Sequence, residues 1–421
     1  MRRGHQCHDS DPERQSPLTP ATASIVLTID WKNRRRIITI MKRRDFIRDL
    51  GLGATSVLLC APSLLRGKQA ADALKSFKSI PIIDGHFHML ADIEQQHLFT
   101  RIPAIWRACG LRAANVLSVS AGGPLNQNMA AALAKALYPD RCYAFAGLHY
   151  SLPAVAPKQI DLGGQAKTLF EIGFDGFKMI EGKPSVREQL GVALDDPVYD
   201  EYYSFLESEA LPLVFHVADP WSGGEPPEAI ARVYSEAENV LQRFPGLHII
   251  FAHFYFMGHH LDRAAELLET YPSICFDLTP GPGMYTHFSV NPEKSREFFI
   301  RYQDRIVFGT DNHGEARSFG PGAPLEYWPV FKMIAMRTFL ETDRTFTAWH
   351  NELHGIALER DVLEKIYHGN FVRLAGASPK KLDIGLTLQH GNRILALARE
   401  YGIVHEVLPE LRRFMDKIST L

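Results

Sequence analysis

The sequence carries almost no net charge: 46 Lys+Arg stand against 48 Asp+Glu, a formal −2. That balance argues against nucleic acid as the main partner, since that role needs a basic face. Its five cysteines (Cys7, Cys60, Cys109, Cys142, Cys275) form no CxxC pair, so neither a zinc knuckle nor a disulfide scaffold is suggested. No G-x-G-x-x-G follows the first apolar strand, which weakens a dinucleotide-binding fold. The uncharged stretch Leu50 to Leu65 is 16 residues long and contains Gly51, Gly53 and Pro62, which is short for the roughly 20 residues a bilayer needs. What remains, 46% hydrophobic and 22% charged residues, is globular composition and excludes collagen-like, coiled-coil and wholly disordered chains.

The charge is unevenly placed, with residues 1–73 at +6 and the remainder at −8. Met41-Lys42-Arg43-Arg44-Asp45-Phe46 precedes the uncharged stretch, and Ala71-Asp72-Ala73 follows it. A positive segment, an apolar segment and an A-x-A site in that order are the anatomy of a secretory signal. The Arg43-Arg44 pair before Phe46 resembles a bacterial twin-arginine signal. The expectation is an extension over 1–40 that is unstructured or precedes a true start at Met41, a twin-arginine signal over 41–73, a barrel domain over 74–378 and a helical extension over 379–421. Export places the mature protein in the periplasm or outside the cell, and the membrane enters only through that signal.

Eight short apolar runs alternate with amphipathic stretches, the pattern of βαβ units around a buried parallel sheet. The strands are expected at Pro81–Asp84, Ala114–Val119, Tyr143–Leu148, Gly176–Met179, Pro212–His216, His248–Ala252, Ile274–Leu278 and Ile306–Gly309. Helices are expected between them, one starting at Pro292 behind an Asn291 cap. Eight repeats in this length favour an α/β fold of the (β/α)8 TIM barrel type with extra C-terminal helices. Beyond Leu325 the chain reads as helical.

Polar residues close several of these runs. Asp84-Gly85-His86-Phe87-His88 ends the first, Lys178 the fourth, His216 the fifth, His253 the sixth and Asp311 the eighth. Histidines at i and i+2 on an extended chain share a face and can meet one ion. Polar groups at the ends of buried strands need a partner, and imidazoles with a carboxylate suit a divalent cation such as zinc, manganese or iron. Most of the other histidines (18 in all) read as ordinary surface or core residues.

With these residues the chain resembles the metal-dependent amidohydrolase superfamily, in the amidohydrolase-related branch that includes non-oxidative decarboxylases. The fragments Gly173-Phe174-x-Gly176-Phe177-Lys178 and His368-Gly369-Asn370-Phe371-x-Arg373-Leu374 fit that branch. The resemblance implies that His86, His88, His216 and Asp311 bind one divalent metal, zinc first with manganese or iron as alternatives, and that Asp311 also moves protons. It implies that His253 faces the substrate as an acid/base or polarising group. Lys178 is carboxylated and bridges two metals in some relatives; here it is read as unmodified, binding substrate or standing behind the metal ligands. Asp84 is placed to orient a ligand imidazole or to make a turn.

The function implied is hydrolysis of a small cyclic ester, lactone or amide by metal-activated water. The alternative is a non-oxidative decarboxylase of an aromatic or unsaturated acid, and the contrasting class is an exported binding protein that holds no metal. The partner is a small molecule, with a homo-oligomer through the C-terminal helices left open. Trp221, Glu225, Met284, Tyr285, His287, Asn312, His313 and Glu315 are loop candidates for substrate contact, His313 foremost, with Gly281-Pro282-Gly283 and Gly320-Pro321-Gly322 read as ordered turns.

Overall fold

Continuous apolar runs without alternation become strands buried on both faces, and eight of them form one parallel sheet. The computed structural model describes residues 24–30, 35–41, 73–88, 98–119, 127–150, 160–220, 226–281, 283–313, 327–400 and 408–421. The strands are β1 (Ile83–His88), β2 (Ala113–Leu117), β3 (Cys142–Gly147), β4 (Gly176–Gly182), β5 (Leu213–Val217), β6 (Ile249–Phe251), β7 (Cys275–Asp277) and β8 (Ile306–Val307). Each pairs in parallel with the next. A two-residue strand, β9 (Asn312–His313), pairs in parallel with β1. Between β8 and β9 the ring is closed by Gly85 N–H donating to Phe308 O at 2.9 Å and Asp311 N–H donating to His86 O at 2.8 Å. The expected (β/α)8 barrel is what forms.

Side chains sort into two apolar layers around this sheet. Ile83, Phe145, Val214, Ile250 and Val307 fill the barrel interior together with Phe371, whose ring lies 5.0 Å and edge-on to Tyr143. Phe87, Phe177, Phe215, Phe251 and Phe276 point outward into the larger layer beneath the helices. Helix placement follows the sequence closely: Gln127–Leu137, Asp200–Ser208, Pro227–Arg243, Leu261–Thr270 and Pro292–Arg301. Asn291 caps the last of these, its side chain accepting from Lys294 N–H at 2.9 Å. The C-terminal extension is helical at Ile384–Glu400 and Leu408–Ile418.

Two stretches depart from the sequence reading. The region after Leu325 is not helical throughout: Thr345–Ala348 and Asn351–His354 form an antiparallel hairpin. Thr345-Phe346-Thr347-Ala348 alternates between outward and buried positions, a period of two that a helical reading overlooks. The contact pattern divides the chain into Met1–Val57 and Leu58–Leu421, and in the first unit Ser24–Asp30 pairs antiparallel with Arg35–Met41. Both segments are rich in β-branched residues, which suit strands even without alternation. Residues 42–72, nearly all of the expected signal, lie outside the described residues. Among the described residues no helix is long and apolar enough to cross a membrane.

Barrel closure depends on a missing side chain. A Cβ at Gly85 would stand 2.9 Å from Val307 Cγ1, 3.0 Å from Phe308 O and 3.1 Å from Phe371 Cδ2. Gly85→Ala is therefore expected to destabilise the protein by about 1–3 kcal/mol, as overpacking does. The check is a lowered thermal midpoint; an unchanged midpoint contradicts the closure described.

Candidate metal centre

The first strand contains an irregularity that aims its histidines. On a regular strand Ile83 and Phe87 share a face, yet Ile83 lies inside the barrel and Phe87 outside it. The pairing with β2 shifts register between Asp84 and Phe87. Such a bulge re-aims the residues beyond it, and here it turns both His86 and His88 inward.

His86 Nε2 and His88 Nε2 lie 3.0 Å apart, and Asp311 Oδ1 lies 3.7 Å from the first and 3.4 Å from the second. His86 Nδ1 is 2.7 Å from Asp277 Oδ2, and His88 Nδ1 is 3.3 Å from the carbonyl of Leu117. Both partners only accept, so each Nδ1 carries the proton and each Nε2 presents a lone pair. Burial, reinforced by the charge of Lys178, lowers His86 to about 4, against the opposing pull of Asp277 and Asp311. A neutral ring is thus favoured. Two imidazole lone pairs and a carboxylate converge, all within 4.8 Å of one another, which is repulsive without a positive charge between them. Ligand bonds of ~2.1 Å around a tetrahedral ion put donors about 3.4 Å apart, so the residues fit a divalent cation.

The other expected residues surround this group. His216 stands outside the three-residue cluster, but its ring lies 5.0 Å from that of His253. Its Nε2 is buried with no hydrogen-bond partner among the described residues, and burial together with neighbouring His253 and Lys178 holds it well below the usual histidine range. His253 N–H donates to Asp277 Oδ1 at 2.8 Å and to Thr279 Oγ1 at 3.0 Å, and its ring lies 5.7 Å from His86. Asp84 orients no imidazole. Its carboxylate accepts from Thr310 N–H (2.9 Å), Thr310 Oγ1 (2.5 Å) and His86 N–H (3.2 Å), tying β1 to the loop that carries Asp311.

Lys178 is buried as the third residue of β4, its Nζ without a hydrogen-bond partner among the described residues. Burial lowers it to about 8, opposed by the charges of Asp277, Asp311 and Glu181. Asn312 is buried beside the cluster, while the His313 side chain, Trp221, Glu225, Glu315, Pro282 and the whole 320–322 turn lie outside the described residues. Met284 and Tyr285 are buried, the Tyr285 hydroxyl donating to Leu278 O at 2.9 Å. His287 sits apart, by His259.

Sequence reading missed Asp277, the residue that does orient a ligand imidazole. Burial works against its charge, but His86 and His253, with hydrogen bonds from His86 and Thr279, hold it below the usual carboxylate range. The signal was there: Asp277 closes the apolar run Ile274-Cys275-Phe276 as His216 and His253 close theirs. Lys332 was also missed. From the helix Tyr327–Glu341 its Nζ donates to Thr310 O at 3.0 Å and Asp311 O at 2.6 Å, fixing the backbone at Asp311, whose φ is 50°. A cavity of about 370 Å3 opens beside Asp311, bounded by Lys332, Tyr285, Trp328, Trp349 and Asn351.

Two outcomes are expected. Asp277→Asn removes the charge that fixes the His86 tautomer, so zinc affinity should fall about 10–100-fold in a chelator-competition titration; unchanged affinity contradicts the assignment. Burial raises the Glu181 carboxyl from 4.5 to about 7 despite hydrogen bonds such as that from Tyr150. A raised acid favours folding below pH 4.5 and loses that contribution as pH climbs through 7. Glu181→Gln should therefore gain stability relative to the parent between pH 5 and pH 8 in urea unfolding. An equal difference at both pH values refutes it.

Residues 83–376 match the family model described as amidohydrolase. No curated relative matches the chain. Similar solved structures include an uncharacterized TIM-barrel protein from Bordetella bronchiseptica, at 15% identity over 70% of this chain and 98% of that one, with a TM-score of 0.48. They also include a protein titled amidohydrolase II, at 16% identity over 70% and 99% with a TM-score of 0.44. A third is IDCase from Metarhizium anisopliae in apo form, at 13% identity over 70% and 97% with a TM-score of 0.46. The family match spans the barrel from β1 to the helix Asn370–Ala375 and takes in every residue of the metal cluster; the chain belongs to the amidohydrolase family of metal-dependent enzymes that act on small molecules.

Proposed function

We propose that the protein hydrolyses a small cyclic ester, lactone or amide. The observation that carries this reading is the meeting of two lone-pair-bearing imidazoles with a carboxylate at the edge of a cavity. His86, His88 and Asp311 would hold the cation, with His216 as a fourth donor, and zinc suits imidazole and carboxylate ligands. When bound, such an ion supplies Lewis acidity and lowers the pKa of water.

The residues divide the remaining work by access. The side chains of His86 and His88 are 1% and 7% exposed, whereas that of Asp311 is 21% exposed and lines the cavity. Asp311 is therefore the group that meets substrate: it takes a proton from the attacking water and returns it to the leaving atom. His253, fixed through its backbone by Asp277 and Thr279, donates to the substrate oxygen where negative charge develops, a contact worth ~3–4 kcal/mol. Lys178 supports an anionic or polarised substrate oxygen, its buried ammonium having no hydrogen-bond partner among the described residues. Asp277 holds His86 in the tautomer that leaves Nε2 bare.

Zinc-loaded protein assayed against a panel of lactones and hydroxybenzoates tests this. Ring opening with acid release is expected, and Asp311→Asn should lower kcat by ~10²–10⁴-fold. Release of CO2 from a hydroxybenzoate without consumption of water refutes hydrolysis and establishes the decarboxylase alternative. We propose further that the segment 41–73 exports the protein by the twin-arginine route, supported by Arg43-Arg44 and Ala71-Asp72-Ala73. A periplasmic protein beginning just after that site is expected on N-terminal sequencing; a cytoplasmic, unprocessed chain refutes it.

A further inference from the structure

The hairpin that sequence reading missed carries an unusual turn. Ala348 pairs with Asn351, so only Trp349 and His350 connect its strands. Both have positive φ, 50° and 63°. Two-residue connections of this kind are ordinarily made by Asn-Gly, because a side chain crowds the backbone there. A tryptophan and a histidine at these positions are strained, and strain of this sort gathers where a ligand is held.

The second observation is where the turn delivers its indole. Trp349 lines the same cavity as Asp311. Its ring lies 5.3 Å from Tyr285, inclined at 33°, and 5.9 Å from Phe331, edge-on. Trp328, stacked on Phe331 at 5.2 Å, contributes another wall. Among the described residues that line the cavity, the charged groups are one carboxylate, Asp311, and one ammonium, Lys332, which is already engaged by the carbonyls of Thr310 and Asp311. Three aromatic residues, Tyr285, Trp328 and Trp349, line the space beside one charge of each sign among the described residues, which suits a flat, uncharged ring and not a second anion.

We propose that Trp349 is a specificity-determining residue that holds an aryl group of the substrate in this cavity, beside the bond that reacts at Asp311. The position of the reacting bond rests on the hydrolytic reading; the binding of a planar ring does not.

Two six-membered lactones separate these claims: dihydrocoumarin, with a fused arene, and δ-valerolactone, without one. With zinc-loaded protein, Trp349→Ala should lower kcat/KM for dihydrocoumarin about fivefold or more, chiefly through KM, and leave δ-valerolactone within about twofold. Trp349→Phe should retain most of the preference, and His350→Gly, which relaxes the turn but keeps the indole, should retain all of it. A preference unchanged in Trp349→Ala, or lost equally in His350→Gly, overturns the proposal. Should neither lactone be opened, that result bears on the hydrolytic reading alone, and calorimetric binding of 2-naphthol decides. Binding to the parent that weakens in Trp349→Ala supports the aryl site; no binding, or equal binding to both, overturns it.

Discussion

Three electron-rich atoms, His86 Nε2, His88 Nε2 and Asp311 Oδ1, are held facing one another in a buried space, and the site depends on what neutralises them. Neither imidazole can relieve the contact by turning its proton inward. Asp277 holds the His86 proton on the far nitrogen, and the Leu117 carbonyl does the same for His88. Burial also disfavours a second proton on His86. A cation between the three converts repulsion into ligation, and the same hydrogen bonds that forbid other solutions prepare the ligands for it.

Much of the surrounding backbone is bent to this purpose. The bulge in β1 turns two histidines inward, and Asp84 ties that strand to Thr310 so that Asp311 can approach. After β6, His253, Phe254, Tyr255 and Phe256 all have φ between 52° and 56°. Left-handed residues of this kind cost roughly 1–2 kcal/mol each, about 4–8 kcal/mol for the run. Phe254, Tyr255 and Phe256 are buried to 3% exposure or less, and burying such side chains contributes about 1.5–3 kcal/mol each, which offsets that strain. Packing thus carries a conformation that propensity alone would reject, and it leaves His253 between His86 and His216.

The barrel was legible in the sequence because a strand buried on both faces has to be continuously apolar. All eight such runs formed strands, with ends shifted by a few residues. The metal-facing residues were legible for the complementary reason: a histidine or aspartate closing an apolar run has no reason to be there without a partner. Asp277 obeyed the same rule and was overlooked, because one carboxylate among many carries less signal than a histidine pair. The bulge at Asp84–Phe87 left no mark, since the i, i+2 spacing of His86 and His88 is the same with or without it. Trp349-His350 hid the hairpin, because a turn built from bulky residues lacks the Asn-Gly signature. Lys332 lies 21 residues beyond Asp311, on a helix, and only the fold brings it back.

Anomalous diffraction at the zinc edge, on crystals of zinc-loaded protein, tests the central claim most directly. The account predicts one strong peak, bonded to His86 Nε2, His88 Nε2 and the Asp311 carboxylate. A crystal in which these three side chains keep their positions with no ion among them, or in which zinc binds elsewhere, contradicts it.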